Sequence, residues 1–164
     1  MRTVVAVAAA VSLLVLVGAA FALPGFSFAA RSSPARTATQ AELYDLRVAC
    51  HPTFDRLVLR ARFGTPGFSV RYVPRIVHDS SGLVVPLLGR RRIQVVLRPA
   101  RAHTLGGRSL APTRLTPLCP QLRQVKSAGD FEGVVTYGLG VRQLRPFRVF
   151  RLTQPTRIVV DIRH

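Results

Sequence analysis

The chain has 164 residues, with 24 Lys and Arg against 7 Asp and Glu, and a formal net charge of +17 at pH 7. This length fits one domain after a targeting segment. The charge exceeds the magnitude of about 2 to 8 that solubility requires in a small domain, so it indicates attraction to polyanions.

An apolar segment opens the chain. A short basic start precedes a run without any charge through Ala30. Small-residue patterns favour cleavage after Ala22 or Ala29. Residues 1–30 are therefore predicted to be a secretory signal peptide, with an uncleaved membrane anchor formed by residues 4–22 as the alternative. Both interpretations place the rest of the chain outside the cytoplasmic membrane.

The next segment, residues 31–41, begins with RSSPARTATQ and is rich in Ser, Thr, Ala and Pro. This composition is typical of a flexible linker. The folded domain is then expected over residues 42–164. No internal repeat or second domain is visible in that stretch.

Alternation of apolar and polar residues dominates the predicted domain, and no window sustains a helical period. Leu57 and Leu59 share one face of a predicted strand, and Arg56 and Arg60 share the other. The same pattern puts Leu57, Leu59, Val70, Tyr72, Val95, Ile158 and Ile162 inside, and Arg56, Arg60, Arg62, Arg71, Arg92, Arg98, Arg157 and Arg163 outside. About eight short strands separated by turn signals predict an all-β fold, a small antiparallel β-sandwich.

The two cysteines, Cys50 and Cys119, are an even pair in a small exported domain. Such a pair predicts a disulfide; two free, buried thiols are the alternative. A nucleophilic pair of Cys50 with His51 is disfavoured, because adjacent residues of a strand point to opposite faces.

An ordered series of motifs carries a family resemblance. The segments HPTFDRLVLRARF and GTPGFSVRYV are followed by RIQVVLRPA, GDFEGVVTYGLG and RPFRVFRLTQPTRIVVDI. Over Tyr44 to Arg163 the chain resembles the AMIN-like domain of secreted actinobacterial proteins, which is distantly similar to the AMIN domain. The resemblance implies a β-sandwich and a noncatalytic role in targeting proteins to the cell envelope.

Catalytic and metal-binding patterns are missing from the sequence. There is no nucleophile elbow, zinc-protease helix or Cys-x-x-Cys pair, and the four histidines lack metal-ligand spacing. Asp130 and Glu132 could act as paired carboxylates, but a strand-initiating turn whose carboxylates meet arginines is the preferred interpretation. Gly138 and Gly140 are interpreted as the end of a strand. We therefore expect no enzyme, no cofactor and no metal.

The function predicted from the sequence is an exported envelope module that contacts anionic wall polymer or lipid headgroups. The candidate anion-binding residues lie on the polar faces of the strands, where the planar guanidinium suits phosphate and carboxylate oxygens: Arg56, Arg60, Arg62, Arg71 and Arg157. The alternative is an assembly protein that recruits another envelope protein, and an uncharacterised hydrolase is a third class. Nucleic acid fits the charge but conflicts with the signal peptide, so it is not expected as a partner.

Overall fold

A computed structural model describes residues 22–164. The apolar targeting segment predicted over residues 4–22 lies outside the described residues, apart from Ala22. Every regular element among these described residues is a β-strand. The strands are β1 (Arg31–Ser33), β2 (Ala41–Cys50), β3 (Phe54–Arg62), β4 (Gly67–Val73), β5 (Arg91–Arg98), β6 (Ala100–Arg101), β7 (Arg114–Leu115), β8 (Leu122–Phe131), β9 (Val134–Val141), β10 (Phe147–Leu152) and β11 (Thr156–Arg163).

These strands form two sheets. The six-stranded sheet has the order β1-β4-β5-β9-β8-β7, and the five-stranded sheet has the order β10-β11-β3-β2-β6. All neighbouring strands are antiparallel except β2 and β6, which pair in parallel. The prediction of an all-β, mostly antiparallel sandwich is confirmed.

The predicted alternation sets the core between the sheets. Leu57, Leu59, Val95 and Ile158 are all fully buried, because each lies on the inward face of its strand. Tyr72 is only half-buried, and its hydroxyl donates a hydrogen bond to the carbonyl of Arg145 at 2.8 Å. A phenol placed at the margin of the core keeps its polar end satisfied in this way.

The connection between β4 and β5, residues 74–90, crosses the outer face of the six-stranded sheet. Ile76, Val85 and Leu87 form a second small core there with Ala128. A Cβ added to Gly138 would lie 2.8 Å from the Ile76 side chain. Gly138 and Gly140 lie in the second half of β9, as expected near a strand end, and the close approach of this connection explains why both are glycine.

Parts of the predicted linker, residues 31–41, pair with the folded domain. Arg31–Ser33 forms β1 and pairs with β4, while Ala41 is fully buried at the start of β2. Between them, the Arg36 amide donates to the Thr65 carbonyl at 3.0 Å. The amino-acid composition did not indicate this pairing, because an edge strand pairs through its backbone and needs no particular side chains.

Ordered contacts also begin before residue 31. The Ser27 amide donates to the Phe147 carbonyl, and the Phe147 amide donates to the Ser27 carbonyl, both at 2.9 Å. The part of the predicted signal peptide that the structure describes therefore lies against the edge of β10. Within residues 22–164 no helix is long and apolar enough to cross a membrane.

Candidate functional site

One end of the sandwich holds the disulfide and is called here the disulfide end. At this end β2 and β9 finish and β3, β5, β8 and β10 begin. Cys50 and Cys119 are bonded, with their Cα atoms 5.3 Å apart, which confirms the predicted disulfide. The bond connects β2 of one sheet to the segment that precedes β8 of the other.

Asp55 fixes the same segment from inside. Its side chain is fully buried, and its Oδ2 accepts the amides of Gln121 at 2.6 Å and Leu122 at 2.7 Å. Its Oδ1 lies 2.9 Å from Nε2 of His164. This carboxylate is satisfied internally and is not available to a ligand.

Arg56, a predicted anion-binding residue, is occupied by a carboxylate of the fold. Its Nε and Nη2 donate to Asp161 at 2.7 and 2.8 Å, and these hydrogen bonds raise the pKa of Arg56. Asp161 is fully buried and also accepts from Nε of Arg148 at 2.8 Å. A buried carboxylate held by two guanidiniums connects β3, β10 and β11 and stabilises the register of the sheet.

Arg62 and Arg60 are also paired. Arg62 donates from Nε to Glu42 at 2.6 Å, and Arg101 donates to the other oxygen of Glu42 at 2.9 Å. Burial of Glu42 opposes its ionisation, but the two guanidiniums outweigh this effect and lower its pKa. Arg60 contacts Asp45 at 3.4 Å. The arginines of β3 therefore face carboxylates of neighbouring strands.

The two remaining candidates contact no carboxylate. Arg71 lies on the six-stranded sheet, 3.5 Å from Oε1 of Gln94. Arg157 lies opposite Arg60 on the five-stranded sheet and donates to a backbone carbonyl at 3.3 Å. The structure thus brings Arg157 beside the β3 arginines and leaves Arg71 on the other sheet.

A different group of arginines surrounds a pocket at the disulfide end. The pocket has a volume of about 440 Å³ and is lined by Gly89, Arg90, Arg123 and Arg142. No carboxylate belongs to this lining. These four residues are called the arginine pocket below. Its three guanidiniums come from separate segments of the chain, so only the folded domain brings them together.

Backbone contacts fix each segment of the arginine pocket. The amide of Arg90 donates to the Val141 carbonyl, and the amide of Arg142 donates to the Gln121 carbonyl, both at 2.8 Å. Arg123 donates from Nη1 to the carbonyl of Cys119 at 3.1 Å. The side chains of Arg90 and Arg142 are exposed. The disulfide therefore fixes Cys119, whose carbonyl holds the side chain of Arg123.

The electrostatic setting of this pocket favours an anion. Asp55 and Asp161, the carboxylates of the nearby strand ends, are both fully buried, and both already accept several donors. Like charges gathered without a counter-charge repel one another, by about 1 kcal/mol per pair at 4 Å in bulk water and more near a protein surface. An anion bound between the guanidiniums would relieve that repulsion.

Asp130 contacts a histidine rather than the arginine expected from the sequence. Its Oδ2 lies 2.7 Å from Nδ1 of His103 and accepts the Ala102 amide at 3.0 Å, so it fastens the loop after β6. Glu132 is exposed in the turn after β8, at φ 47°. Asp130 is thus engaged by the fold while Glu132 lies in solvent, an arrangement unlike a carboxylate pair for acid/base catalysis.

A cluster with metal-ligand atoms occurs at the disulfide, where Cys50, Asp55 and Cys119 come together. Both sulfurs are bonded to each other, so neither supplies a thiolate to a metal. His51 stacks on Phe54 at 4.5 Å between ring centroids. That contact gives the histidine a packing role.

Sequence reasoning missed Arg90, Arg123 and Arg142 as site residues, because strand alternation directs attention to the faces of a sheet and not to its ends. A signal was present nonetheless. Residues 80–129 contain no Asp or Glu, and neither do residues 133–160. Arg90 and Arg123 lie in the first stretch and Arg142 lies in the second, where arginines have no local carboxylate partner.

Comparison with known proteins gives one match. A family model described as the AMIN-like domain covers residues 41–164, which is nearly the whole of the two sheets. No curated protein and no solved structure matches the chain.

Proposed function

The chain belongs to the AMIN-like domain family, and we propose that it is a noncatalytic, exported cell-envelope module that binds anionic groups through arginine. The family supports an envelope-associated binding role. The uncharged segment at the start of the sequence supports export. The disulfide supports an oxidising compartment, because such bonds persist outside the cytoplasm. Anionic wall polymer and anionic lipid headgroups are the ligands offered by that location.

The arginine pocket carries the proposal. Arg56, Arg60 and Arg62 are engaged by Asp161, Asp45 and Glu42, so an external anion would have to displace a carboxylate there. At the arginine pocket no such exchange is needed, since no carboxylate lines it. Guanidinium groups bind phosphate and carboxylate oxygens through paired N–H donors. Binding is therefore expected at the disulfide end rather than on the β3 face.

The test is sedimentation of the exported, disulfide-bonded protein with isolated envelope material. Replacing Arg90 and Arg142 by Gln should lower retention about tenfold or more, because charge-assisted hydrogen bonds each contribute roughly 1.5 to 3 kcal/mol. Retention of the wild-type protein should also decrease as salt rises to 1 M, where the Debye length is about 3 Å.

The matched control replaces Arg71 and Arg157 by Gln. It removes the same charge from the strand faces and leaves the pocket intact. Equal retention of the two double variants would refute a dedicated site and leave only a general basic surface. Retention of the wild-type protein that ignores salt would refute the electrostatic basis itself.

A further inference from the structure

Three exposed leucines adjoin the segments that form the arginine pocket. Leu88 immediately precedes Gly89, Leu118 precedes Cys119, and Leu144 follows Arg142 by two residues. Their exposed fractions are 51%, 92% and 49%. Large apolar side chains are scattered singly over many surfaces, but here they recur beside each segment of one basic pocket.

Hydrogen bonds fix the loops that present these leucines. The amide of Leu88 donates to Oε1 of Gln124 at 3.2 Å. The neighbour of Leu144, Gln143, donates its amide to Oε1 of Gln121 at 3.3 Å. Both glutamines are buried, with exposed fractions of 5% for Gln121 and 3% for Gln124. Leu88 and Leu144 therefore lie on loops anchored at the start of β8, the strand that also carries Arg123, while Leu118 adjoins the disulfide-bonded Cys119.

A second leucine-bearing loop shows that the ends of the sandwich differ. Leu105 is 95% exposed, in a turn closed by the Thr104 amide and the Arg108 carbonyl at 2.9 Å. This turn follows the segment that Asp130 fastens at the far end of β8, and Glu132 is exposed in the turn after β8. At the disulfide end, exposed leucines lie beside a pocket that is lined by three arginines and no carboxylate.

We propose that the disulfide end docks on an anionic phospholipid surface. A lipid phosphate occupies the arginine pocket, and the three leucines enter the boundary between headgroups and acyl chains. The proposal rests on the anion-binding function above and selects one source of the anion. A hydrated wall polymer offers phosphate or carboxylate but nothing apolar, whereas a bilayer interface accommodates both the arginines and the leucines.

The chemistry of the pocket fits a phosphate group. Three arginines from separate segments line the pocket, and guanidinium N–H groups pair well with the oxygens of a tetrahedral anion. The lining contains no aromatic ring, and so offers no stacking surface for a base or a sugar. Each basic residue near an anionic membrane adds electrostatic attraction to the surface, and insertion of leucine adds apolar burial to that attraction.

Tryptophan scanning provides the most direct test, because the chain has no tryptophan of its own. Leu118→Trp reports the environment at the disulfide end, and Leu105→Trp is the control with nearly the same exposure at the other end. With vesicles of phosphatidylglycerol and phosphatidylcholine, Leu118→Trp emission should move to shorter wavelength and be quenched by brominated acyl chains. Leu105→Trp emission should not change, and pure phosphatidylcholine should affect neither variant.

Cosedimentation with the same vesicles measures how much the arginines and the leucines each contribute to membrane affinity. Arg90→Gln with Arg142→Gln should weaken binding roughly thirtyfold, from about 1 kcal/mol per basic residue. Replacing Leu88, Leu118 and Leu144 together by Ser should weaken it at least about tenfold without loss of the folded circular dichroism spectrum, since exposed positions contribute little to stability. Leu83→Ser with Leu105→Ser should bind as the wild type does.

The outcomes separate the two proposals. Retention on wall polymer without binding to anionic vesicles would overturn the lipid proposal and leave the anion-binding function standing. Binding to neither would overturn both. Salt-sensitive vesicle binding with an unshifted Leu118→Trp spectrum, or with full affinity in the leucine variant, would also overturn it, since attraction to the headgroups would then involve no insertion.

Discussion

The disulfide is expected to supply a large part of the stability of the domain. Cys50 and Cys119 are 69 residues apart in the chain, and the chain-entropy treatment assigns a closed loop of that length about 4 kcal/mol. Domains of this size have free energies of unfolding of about 5 to 15 kcal/mol. The bond also joins β2 of one sheet to the segment before β8 of the other, so its loss leaves that segment held only by Asp55 and by backbone hydrogen bonds.

The perturbation is the double variant Cys50→Ser with Cys119→Ala. Serine suits the exposed Cys50, while alanine avoids leaving a hydroxyl without a partner at Cys119, which is 1% exposed. Urea unfolding followed by circular dichroism should show a loss of about 4 kcal/mol. At roughly 2 to 4 °C per kcal/mol for domains somewhat larger than this one, the midpoint of thermal unfolding should decrease by about 10 to 15 °C.

Wild-type protein unfolded in a reducing agent is the matched control and should behave as the double variant does. The double variant itself should not respond to the reducing agent. A loss below about 1 kcal/mol would refute the loop-closure reasoning. If the double variant loses the expected free energy of unfolding but is retained on envelope material as well as the wild type, Arg123 is held in place without the disulfide.

Three further changes test the packing and the ion pairs, each by denaturant unfolding. Gly140→Ala should destabilise the fold by about 1 to 3 kcal/mol, because the added Cβ would overlap the backbone of the connection that crosses it. The control Gly106→Ala, whose Cβ would have no atom closer than 3.9 Å, should be nearly neutral. Equal effects of the two changes would refute the close packing of this connection on Gly140. Asp161→Asn should lower the free energy of unfolding by about 3 kcal/mol, because it leaves Arg56 and Arg148 without their buried carboxylate partner. The control Asp45→Asn, at a carboxylate that is 22% exposed, should lower it by less than about 1 kcal/mol. The pKa of Glu42 is lowered in the fold, so its contribution to stability is present above its unfolded pKa of about 4.3 and is lost as the pH falls through the lower folded value. The stability difference between wild type and Glu42→Gln should therefore shrink as the pH falls below about 4.3, and a constant difference would contradict this.

Strand alternation predicted the core well because each sheet has one buried face. Leu57 and Ile158 are both fully buried as expected, and they lie on neighbouring strands of one sheet. Burial of one face gives a strand a sequence signal with period two. Because this pattern lies within a single strand, it can be recognised without knowing how the strands pair.

The carboxylate partners of the arginines could not be predicted from the sequence, because they depend on the register in which the strands pair. Arg56 and Asp161 are 105 residues apart, and only the alignment of β3 with β11 brings them face to face. The crossing of residues 74–90 over the six-stranded sheet was hidden for the same reason. Its sequence signal was the pair of glycines at 138 and 140, which has meaning only when the covering segment is known.

The position of signal cleavage is the last expectation that the fold informs. Cleavage after Ala29 would remove Phe26, whose ring centroid lies 4.6 Å from the guanidinium carbon of Arg148, and Ser27, which covers the edge of β10. Cleavage after Ala22 retains both contacts and keeps the first residue of the β10 edge paired, which limits pairing of that edge with other chains. We therefore predict that the exported protein begins at Leu23. Sequencing its N-terminus checks this directly, and a mature start at Ala30 or an uncleaved chain would contradict it.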